Sequence, residues 1–220
     1  MDPTIFAGAI VILLFSVIVH EVMHGLVALK FGDRTAQNAG RLTLNPLPHI
    51  DPIGTILVPT ILILSGLLLP GGNSFIIGWA KPVPVNPLNF SNFRTGELFV
   101  SLAGVGSNFA LAIFAAIIYH LFILLLPQAI LELLKFTVTI NLLLGIFNLL
   151  PIPPLDGSKV LMSRLPTTLA IQYQSIERYG MFILLFLWFV PIGGIPILSL
   201  IIGIAVSTIN LILRVPLRLF

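Results

Sequence analysis

Residues 4–31 form an apolar run that is long enough to cross a lipid bilayer as one helix, which takes about 20 such residues. His20, Glu21 and His24 interrupt this run. Ionisable side chains are costly inside a membrane helix and usually mark a functional site. This cost disfavours the alternatives, a chance pattern or polar side chains packed between helices. The run therefore predicts a membrane helix that carries chemistry.

The composition of the whole chain agrees with a membrane location. Of its 220 residues, 57% are hydrophobic and 9% are charged, and the mean hydropathy is +1.10. A soluble domain carries about a quarter charged residues, so this chain has too little polar surface for a water-facing globule. The chain has no cysteine, which excludes disulfides and thiolate ligands. A metal site must therefore use histidine and carboxylate ligands.

The pattern of apolar runs predicts an all-α polytopic membrane protein with about six transmembrane helices, forming one membrane-embedded domain over 1–220. The first helix covers 4–31, and an insert follows at 33–94. We expect this insert to contain a short β-hairpin-like or re-entrant segment, because it is rich in Pro, Gly and Asn. Core helices are predicted at 95–126 and 129–150, and two C-terminal apolar runs lie within about 179–213.

The distribution of basic residues predicts the orientation of the chain. If the predicted helices all cross, most basic side chains gather on one side, and only Lys135 falls clearly on the other. Those gathered are Lys30, Arg34, Arg41, Arg94, Lys159, Arg164, Arg178, Arg214 and Arg218. The positive-inside rule assigns this side to the cytosol. The charges are thus explained by topology, and we expect no nucleic-acid partner.

The motif HEVMH, at 20–24, has the spacing of a metal site. His20 and His24 are four residues apart and share one helix face, so both imidazoles can reach one ion. Glu21 is placed to approach a water molecule held by that ion. This H-E-x-x-H pattern is typical of zinc hydrolases, in which the glutamate acts as general base.

A catalytic zinc usually has three protein ligands, so a third residue is needed. Asp156 is the strongest candidate, because it follows an apolar helix on the same predicted side as HEVMH, and Gly157 permits a sharp turn there. Asp33 and Asp51 are alternatives, although both lie in turn-like contexts. His49 is a further alternative, which we interpret as a solvated loop residue.

Three motifs occur in a fixed order along the chain. They are HEVMH at 20–24, the Gly-rich SLAGVGSNFALA at 101–112, and N-x-x-P-x-x-x-x-D-G, which consists of Asn148, Pro151, Asp156 and Gly157. Together they resemble the motifs of the site-2 protease family of intramembrane zinc metalloproteases. The segment GWAKPVPVNP, at 78–87, is similar to one in small prokaryotic members that have no PDZ or CBS domain.

The resemblance implies one Zn²⁺ per chain with His20, His24 and Asp156 as ligands. It implies Glu21 as the catalytic base. It further implies that Asn148 holds the substrate backbone or the developing oxyanion, a task that suits an amide donor because it adds no buried charge.

The other motif residues are expected to have structural or substrate-binding roles. Gly104 is expected to let its helix pack closely, and Asn108 to bridge helices or contact substrate. Pro151 and Gly157 are expected to shape the turn or the substrate site. The implied partners are a transmembrane protein substrate and the lipid bilayer, with any regulatory partner unknown. The implied location is a prokaryotic cell membrane, and the distribution of basic residues predicts an active site toward the cytosol.

Two other functions remain open at the level of sequence. A metal-ion transporter could use the same histidines and aspartate as a transit site, but transporters of this kind more often show internal repeats, and we find none. An inactive scaffold could bind membrane helices. The intact Glu21 disfavours a scaffold, because binding alone requires no base.

Overall fold

The structure is a computed structural model that describes residues 2–57, 60–61 and 80–217. Its α-helices, in chain order, are α1 Pro3–Lys30, α2 Thr35–Asn38, α3 Phe93–Phe122, α4 Gln128–Leu149, α5 Asp156–Arg164, α6 Thr167–Gln174, α7 Glu177–Phe189 and α8 Ile197–Leu213. Short 3₁₀ turns lie at Leu47–His49 and Pro87–Asn89, and a π-helical turn lies at Pro52–Leu57.

Three of the described helices, α1, α3 and α4, are long and apolar enough to cross a membrane, and α8 is a shorter apolar helix. Side-chain caps fix the starts of α1 and α3. The Asp2 carboxylate accepts from the Thr4 amide at 2.8 Å, and the Asn92 side chain accepts from the Thr95 amide at 3.0 Å. These three helices lie close to their predicted positions. The total of about six remains a prediction, because residues 62–79 lie outside the described residues.

The hairpin-like segment expected in the insert is absent from residues 33–57, the described first part of that insert. Residues 33–57 contain helical turns and no strand. The two-stranded antiparallel sheet joins β1, Pro191–Ile192, to β2, Ile195–Pro196, near the C-terminus. Gly193 and Gly194 connect the strands with positive φ angles of 61° and 85°, which only glycine adopts readily. The re-entrant alternative depends on residues that lie outside the described ranges.

The main apolar core lies between the α3–α4 hairpin and α8. Small residues of α3, including Ala112 and Ala116, are almost fully buried and let α4 approach closely. Val138 and Leu142 of α4 and Val206 of α8 fill the space between the helices. The first helix packs against both members of the hairpin. This arrangement leaves the end of α1 that carries HEVMH next to α3 and α5.

A buried carboxylate connects the end of α1 to the later part of the insert. Asp33 is fully buried and accepts hydrogen bonds from the Thr35 amide at 3.1 Å, the Asn89 side chain at 2.8 Å and the Asn86 amide at 2.7 Å. Burial by itself would raise the pKa of Asp33, but these hydrogen bonds outweigh it and hold the pKa below its usual range. Asp33 is therefore a structural anchor.

We define residues 80–91 as the covering segment, because part of it lies over the HEVMH end of α1. Its first residues are held by main-chain contacts. The Lys81 amide donates to the His49 carbonyl at 2.9 Å, and the Arg41 guanidinium donates to the carbonyls of Lys81 at 2.6 Å and Pro82 at 3.2 Å. With Asp33 holding its later part, the covering segment is fixed relative to α1 at both ends.

The anchor predicts a pH-dependent difference between the wild type and Asp33→Asn. Asparagine at this position would place an NH₂ group next to N–H donors that Asp33 accepts from. We therefore expect a loss of about 1–3 kcal/mol in the free energy of unfolding at neutral pH. The low pKa of Asp33 means that its contribution is complete above about pH 4 and is lost as the pH falls through the folded-state pKa. The difference from wild type should therefore shrink in acid.

Unfolding of the detergent-solubilised protein, followed from pH 3 to 7, measures this difference. Asp2→Asn is the matched control, because Asp2 accepts from Thr4 in the same Asp-x-Thr arrangement but is exposed. It should change stability far less. An Asp33→Asn variant that is as stable as wild type at neutral pH would contradict the anchoring role.

Candidate metal centre

Two imidazoles meet on the inner face of α1. His20 and His24 are buried, and their rings are 4.6 Å apart between centroids in an edge-to-face arrangement. Their Nε2 atoms are only 3.0 Å apart. This close approach follows from the four-residue spacing, which places both side chains on one helix face.

The first residue of α5 brings a carboxylate to the same point. Asp156 Oδ2 lies 3.2 Å from His20 Nε2 and 3.1 Å from His24 Nε2. This oxygen is buried and receives no hydrogen bond from the described part of the chain. The helix can start here because Gly157 packs directly against the Leu149 and Leu150 carbonyls at the end of α4, where a Cβ would collide. Gly157 therefore has a packing role.

The other nitrogen of each ring faces an oxygen. His20 Nδ1 lies 2.7 Å from Asn108 Oδ1, and His24 Nδ1 lies 2.7 Å from the Val100 carbonyl oxygen. Because these oxygens accept, both Nδ1 atoms carry a proton. In neutral rings the Nε2 atoms then present lone pairs toward Asp156.

With both rings neutral, three electron-pair donors converge on one point without a hydrogen between them. Such an arrangement is repulsive unless a proton or a metal cation lies among the three atoms. Zinc binds histidine and carboxylate ligands at about 2.0–2.2 Å in a tetrahedron, which places the ligand atoms roughly 3.3 Å apart. The separations of 3.0–3.2 Å are close to that value. The three residues can thus hold a small divalent ion with very little movement, and the site fits zinc.

Gly104 of α3 faces this cluster directly. A Cβ at this position would lie 2.5 Å from His24 Nε2 and 2.7 Å from His20 Nε2. The glycine thus keeps open the space into which both nitrogens point. Its predicted role in close helix packing therefore extends to the ligand atoms themselves.

Glu21 lies beside the cluster and is held by the covering segment. Its Oε2 accepts a hydrogen bond from the Val83 amide at 2.7 Å. Both residues line a cavity of about 340 Å³, together with His20, His24, Pro82, Val85, Pro87, Glu97, Val100, Ser101, Asn148, Pro154, Asp156 and Lys159. The cavity brings a carboxylate, an amide and the three candidate ligands into one space.

The remaining predicted site residues occupy different positions. Asn148 lines the cavity, but its amide donates to the Leu144 carbonyl of its own helix at 3.0 Å. Asn108 is fully buried beside His20 and does not line the cavity. Pro151 is exposed and outside the cavity lining, and its carbonyl accepts from the Tyr173 hydroxyl. Pro151 is thus a turn residue here.

The structure changes the interpretation of two alternative ligands. His49 is buried instead of solvated, and its Nε2 donates to the Thr43 carbonyl at 2.9 Å. Asp51 accepts from the Ile53 and Gly54 amides in a turn. Neither belongs to the described metal-ligand cluster, because that cluster consists of the two HEVMH histidines and one aspartate.

Sequence patterns alone missed four groups at the site. Two are main-chain groups, the Val83 amide and the Val100 carbonyl, which side-chain patterns do not encode. The other two, Ser16 and Asn141, are buried polar side chains in apolar helices. Their helical spacing was a usable signal, because Ser16 lies one turn before His20 and Asn141 lies two turns before Asn148.

Comparisons with known proteins agree with this chemistry. The family model described as "Peptidase family M50" matches residues 125–191. "Putative zinc metalloprotease YwhC" of Bacillus subtilis is 36% identical over 192 residues, which cover 84% of this chain and 81% of that protein. "Putative zinc metalloprotease Rip2" of Mycobacterium tuberculosis is 28% identical over 196 residues, which cover 87% and 71%. No solved structure matches the chain at a significant level.

The described apolar helices are long enough for a membrane protein, and both relatives carry the name "putative zinc metalloprotease". The chain belongs to peptidase family M50, the family of the site-2 proteases. The resemblance found from the three sequence motifs is thereby confirmed.

The position of Gly104 predicts that Gly104→Ala weakens zinc binding. The added methyl group would collide with both imidazole Nε2 atoms, and overpacking of this kind costs about 1–3 kcal/mol. This corresponds to roughly a 5- to 150-fold rise in the zinc dissociation constant, measurable by chelator competition. Gly106→Ala is the matched control, because a Cβ there meets nothing within 4 Å. Equal zinc affinity in the two variants would contradict the role of Gly104.

Proposed function

We propose that this chain is an intramembrane zinc endopeptidase that hydrolyses peptide bonds within transmembrane segments of membrane-anchored substrates. The observation that carries the proposal is the convergence of His20 Nε2, His24 Nε2 and Asp156 Oδ2 beside Glu21. Both histidines lie in the second half of an apolar helix of 28 residues.

The proposed ligands are the two imidazoles and the Asp156 carboxylate. These three residues would hold the zinc ion, and the cavity that they line would give water access to it. When bound, zinc supplies Lewis-acid activation of water and polarises the scissile carbonyl. The Asn108 and Val100 oxygens keep the proton of each imidazole on Nδ1, so that Nε2 remains a ligand.

Glu21 is the proposed general base. The Val83 amide holds its Oε2, which fixes the orientation of the carboxylate in the cavity. A carboxylate so placed can take a proton from the attacking water and deliver it to the leaving amide nitrogen. The carboxyl group must therefore change protonation state without leaving its position. A main-chain donor provides a constraint of this kind.

Asn148 is proposed to contact the scissile carbonyl or the neighbouring substrate backbone. Its side chain lines the same cavity as Glu21 and Asp156. One amide hydrogen is used by the Leu144 carbonyl, and an amide nitrogen carries two. The second hydrogen can donate to a developing oxyanion without adding charge to an apolar site.

A transmembrane substrate must be unwound before hydrolysis, because a helix satisfies its backbone groups internally. The covering segment suits the binding of an unwound piece. Residues 80–86 have no helical structure, and Pro82, Val83 and Val85 line the cavity. Edge pairing along this segment would read mainly the substrate backbone. We further propose, from the basic-residue distribution, that the site faces the cytosol of a prokaryotic cell membrane.

The proposal predicts that Glu21→Gln abolishes most hydrolysis while zinc stays bound. Glutamine keeps the shape of the side chain but cannot take a proton, and loss of a general base lowers rates by about 10²–10⁴-fold. The measurement is cleavage of single-span reporter helices reconstituted in liposomes, with zinc content determined on the same samples. Glu97→Gln removes another carboxylate from the cavity and should reduce cleavage far less. Undiminished cleavage by zinc-loaded Glu21→Gln would refute the proposed base.

The main-chain contact to Glu21 predicts opposite results for two substitutions of Val83. Val83→Pro removes the amide hydrogen that Glu21 accepts, so the turnover number should fall by about tenfold, as for loss of one hydrogen bond to a charged group. Val83→Ala keeps the amide and should retain most of the turnover. Both variants should bind zinc normally. If the two variants have equal turnover, the Val83 amide does not position the base.

A further inference from the structure

A chain of buried polar side chains leads from the middle of the helix bundle to His20. Ser16 of α1, Asn141 of α4 and Asn108 of α3 are each no more than 1% exposed, and successive members are hydrogen-bonded. We propose that Asn141 is a positioning residue for the metal site. It fixes the orientation of the Asn108 amide and thereby keeps the His20 proton on Nδ1 and the lone pair on Nε2.

The orientation of Asn141 is set by two acceptors. Its Nδ2 lies 2.9 Å from the Thr137 carbonyl oxygen and 2.9 Å from Ser16 Oγ. A carbonyl can only accept, and the Ser16 hydroxyl donates its single proton to the Ile12 carbonyl at 2.8 Å. Rotating the amide by half a turn would set Oδ1 against both acceptors. The Asn141 amide nitrogen must therefore face them.

This orientation determines the next two residues. With its nitrogen committed, Asn141 presents Oδ1 to Asn108 Nδ2 at 2.9 Å. The Asn108 amide must then point its own oxygen at His20 Nδ1, 2.7 Å away. An oxygen at that distance requires a proton on Nδ1. The lone pair of His20 is thus left on Nε2, where it faces His24 and Asp156.

The two candidate ligand histidines depend on different kinds of support. His24 Nδ1 donates to the Val100 carbonyl, a main-chain group that no substitution removes. Among the described residues, the partner of His20 Nδ1 is the Asn108 side chain, and an unconstrained amide can turn either its oxygen or its nitrogen toward the ring. Asn108 is fully buried, so bulk water does not select the orientation. Asn141 supplies this selection.

The inference rests on the proposed role of His20 as a zinc ligand, and its test reads zinc affinity instead of turnover. In Asn141→Leu the Asn108 amide loses its orienting partner. Loss of a residue that supports a ligand typically weakens metal binding by about 10–100-fold, and we expect this rise in the zinc dissociation constant by chelator competition. Asn210→Leu is the control, because it removes a hydrogen-bonded amide from α8, away from the chain of contacts. Its zinc affinity should match wild type.

A second substitution separates orientation from packing. Asn108→Asp places a symmetric carboxylate beside His20, which accepts from Nδ1 however it is turned. Alone it should weaken zinc binding, because its other oxygen faces the Asn141 oxygen. In the double variant Asn108→Asp/Asn141→Leu that repulsion is absent, and zinc affinity should return to within a few-fold of wild type. Two weakening substitutions that restore binding together are the expected signature of an orienting role.

The zinc affinities of these variants distinguish an orienting role of Asn141 from a packing role. Wild-type zinc affinity in Asn141→Leu overturns the inference, and so does a double variant that binds as weakly as Asn141→Leu, because a packing role predicts no rescue. If Asn141→Leu does not accumulate in membranes, Asn141→Ala, which adds no bulk, takes its place in both measurements. His20→Ala tests the underlying proposal separately. If it binds zinc as tightly as wild type, the ligand assignment fails whatever the Asn141 variants do.

Discussion

Three electron-pair donors held within 3.2 Å of one another, at one wall of a cavity, are the constraint around which this structure is arranged. Two come from one turn of α1 and the third from the first residue of α5. Helix α3 leaves room for the ligand nitrogens at Gly104. Its Asn108 side chain and Val100 carbonyl orient the two imidazole rings. The relative positions of three helices are therefore specified at one point, and a shift of any one would separate the ligand atoms or bring them into collision.

Much of this centre is accessible from the sequence, because its parts follow helical periodicity and the cost of burying charge. His20 and His24 are predictable as a pair from their spacing. Asp156 is predictable as a candidate from its position after an apolar helix, and the motif around it strengthens the choice. The long apolar runs likewise place α1, α3 and α4 to within a few residues, since a bilayer span sets both length and composition.

Other features resist prediction for physical reasons. The hairpin expected in the insert is absent from its described residues 33–57, because Gly and Pro mark a change of direction without specifying strand pairing. The described paired strands lie where Gly193 and Gly194 adopt positive φ. Asn141 was visible as a polar residue in an apolar helix, but such a residue fits helix packing as well as ligand support. Only the directions of its hydrogen bonds, given by the Thr137 carbonyl and the Ser16 hydroxyl, distinguish the two roles.

The hydrogen bond between the Val83 amide and Glu21 has a consequence for how this chain tolerates substitution. Every amino acid except proline brings the same N–H group, so the contact persists through almost any replacement at that position. An alanine scan of the covering segment would pass over it, and homologues could diverge freely there while retaining the contact. The contact therefore depends on the path of the backbone, and a comparison of side chains among homologues would not detect it.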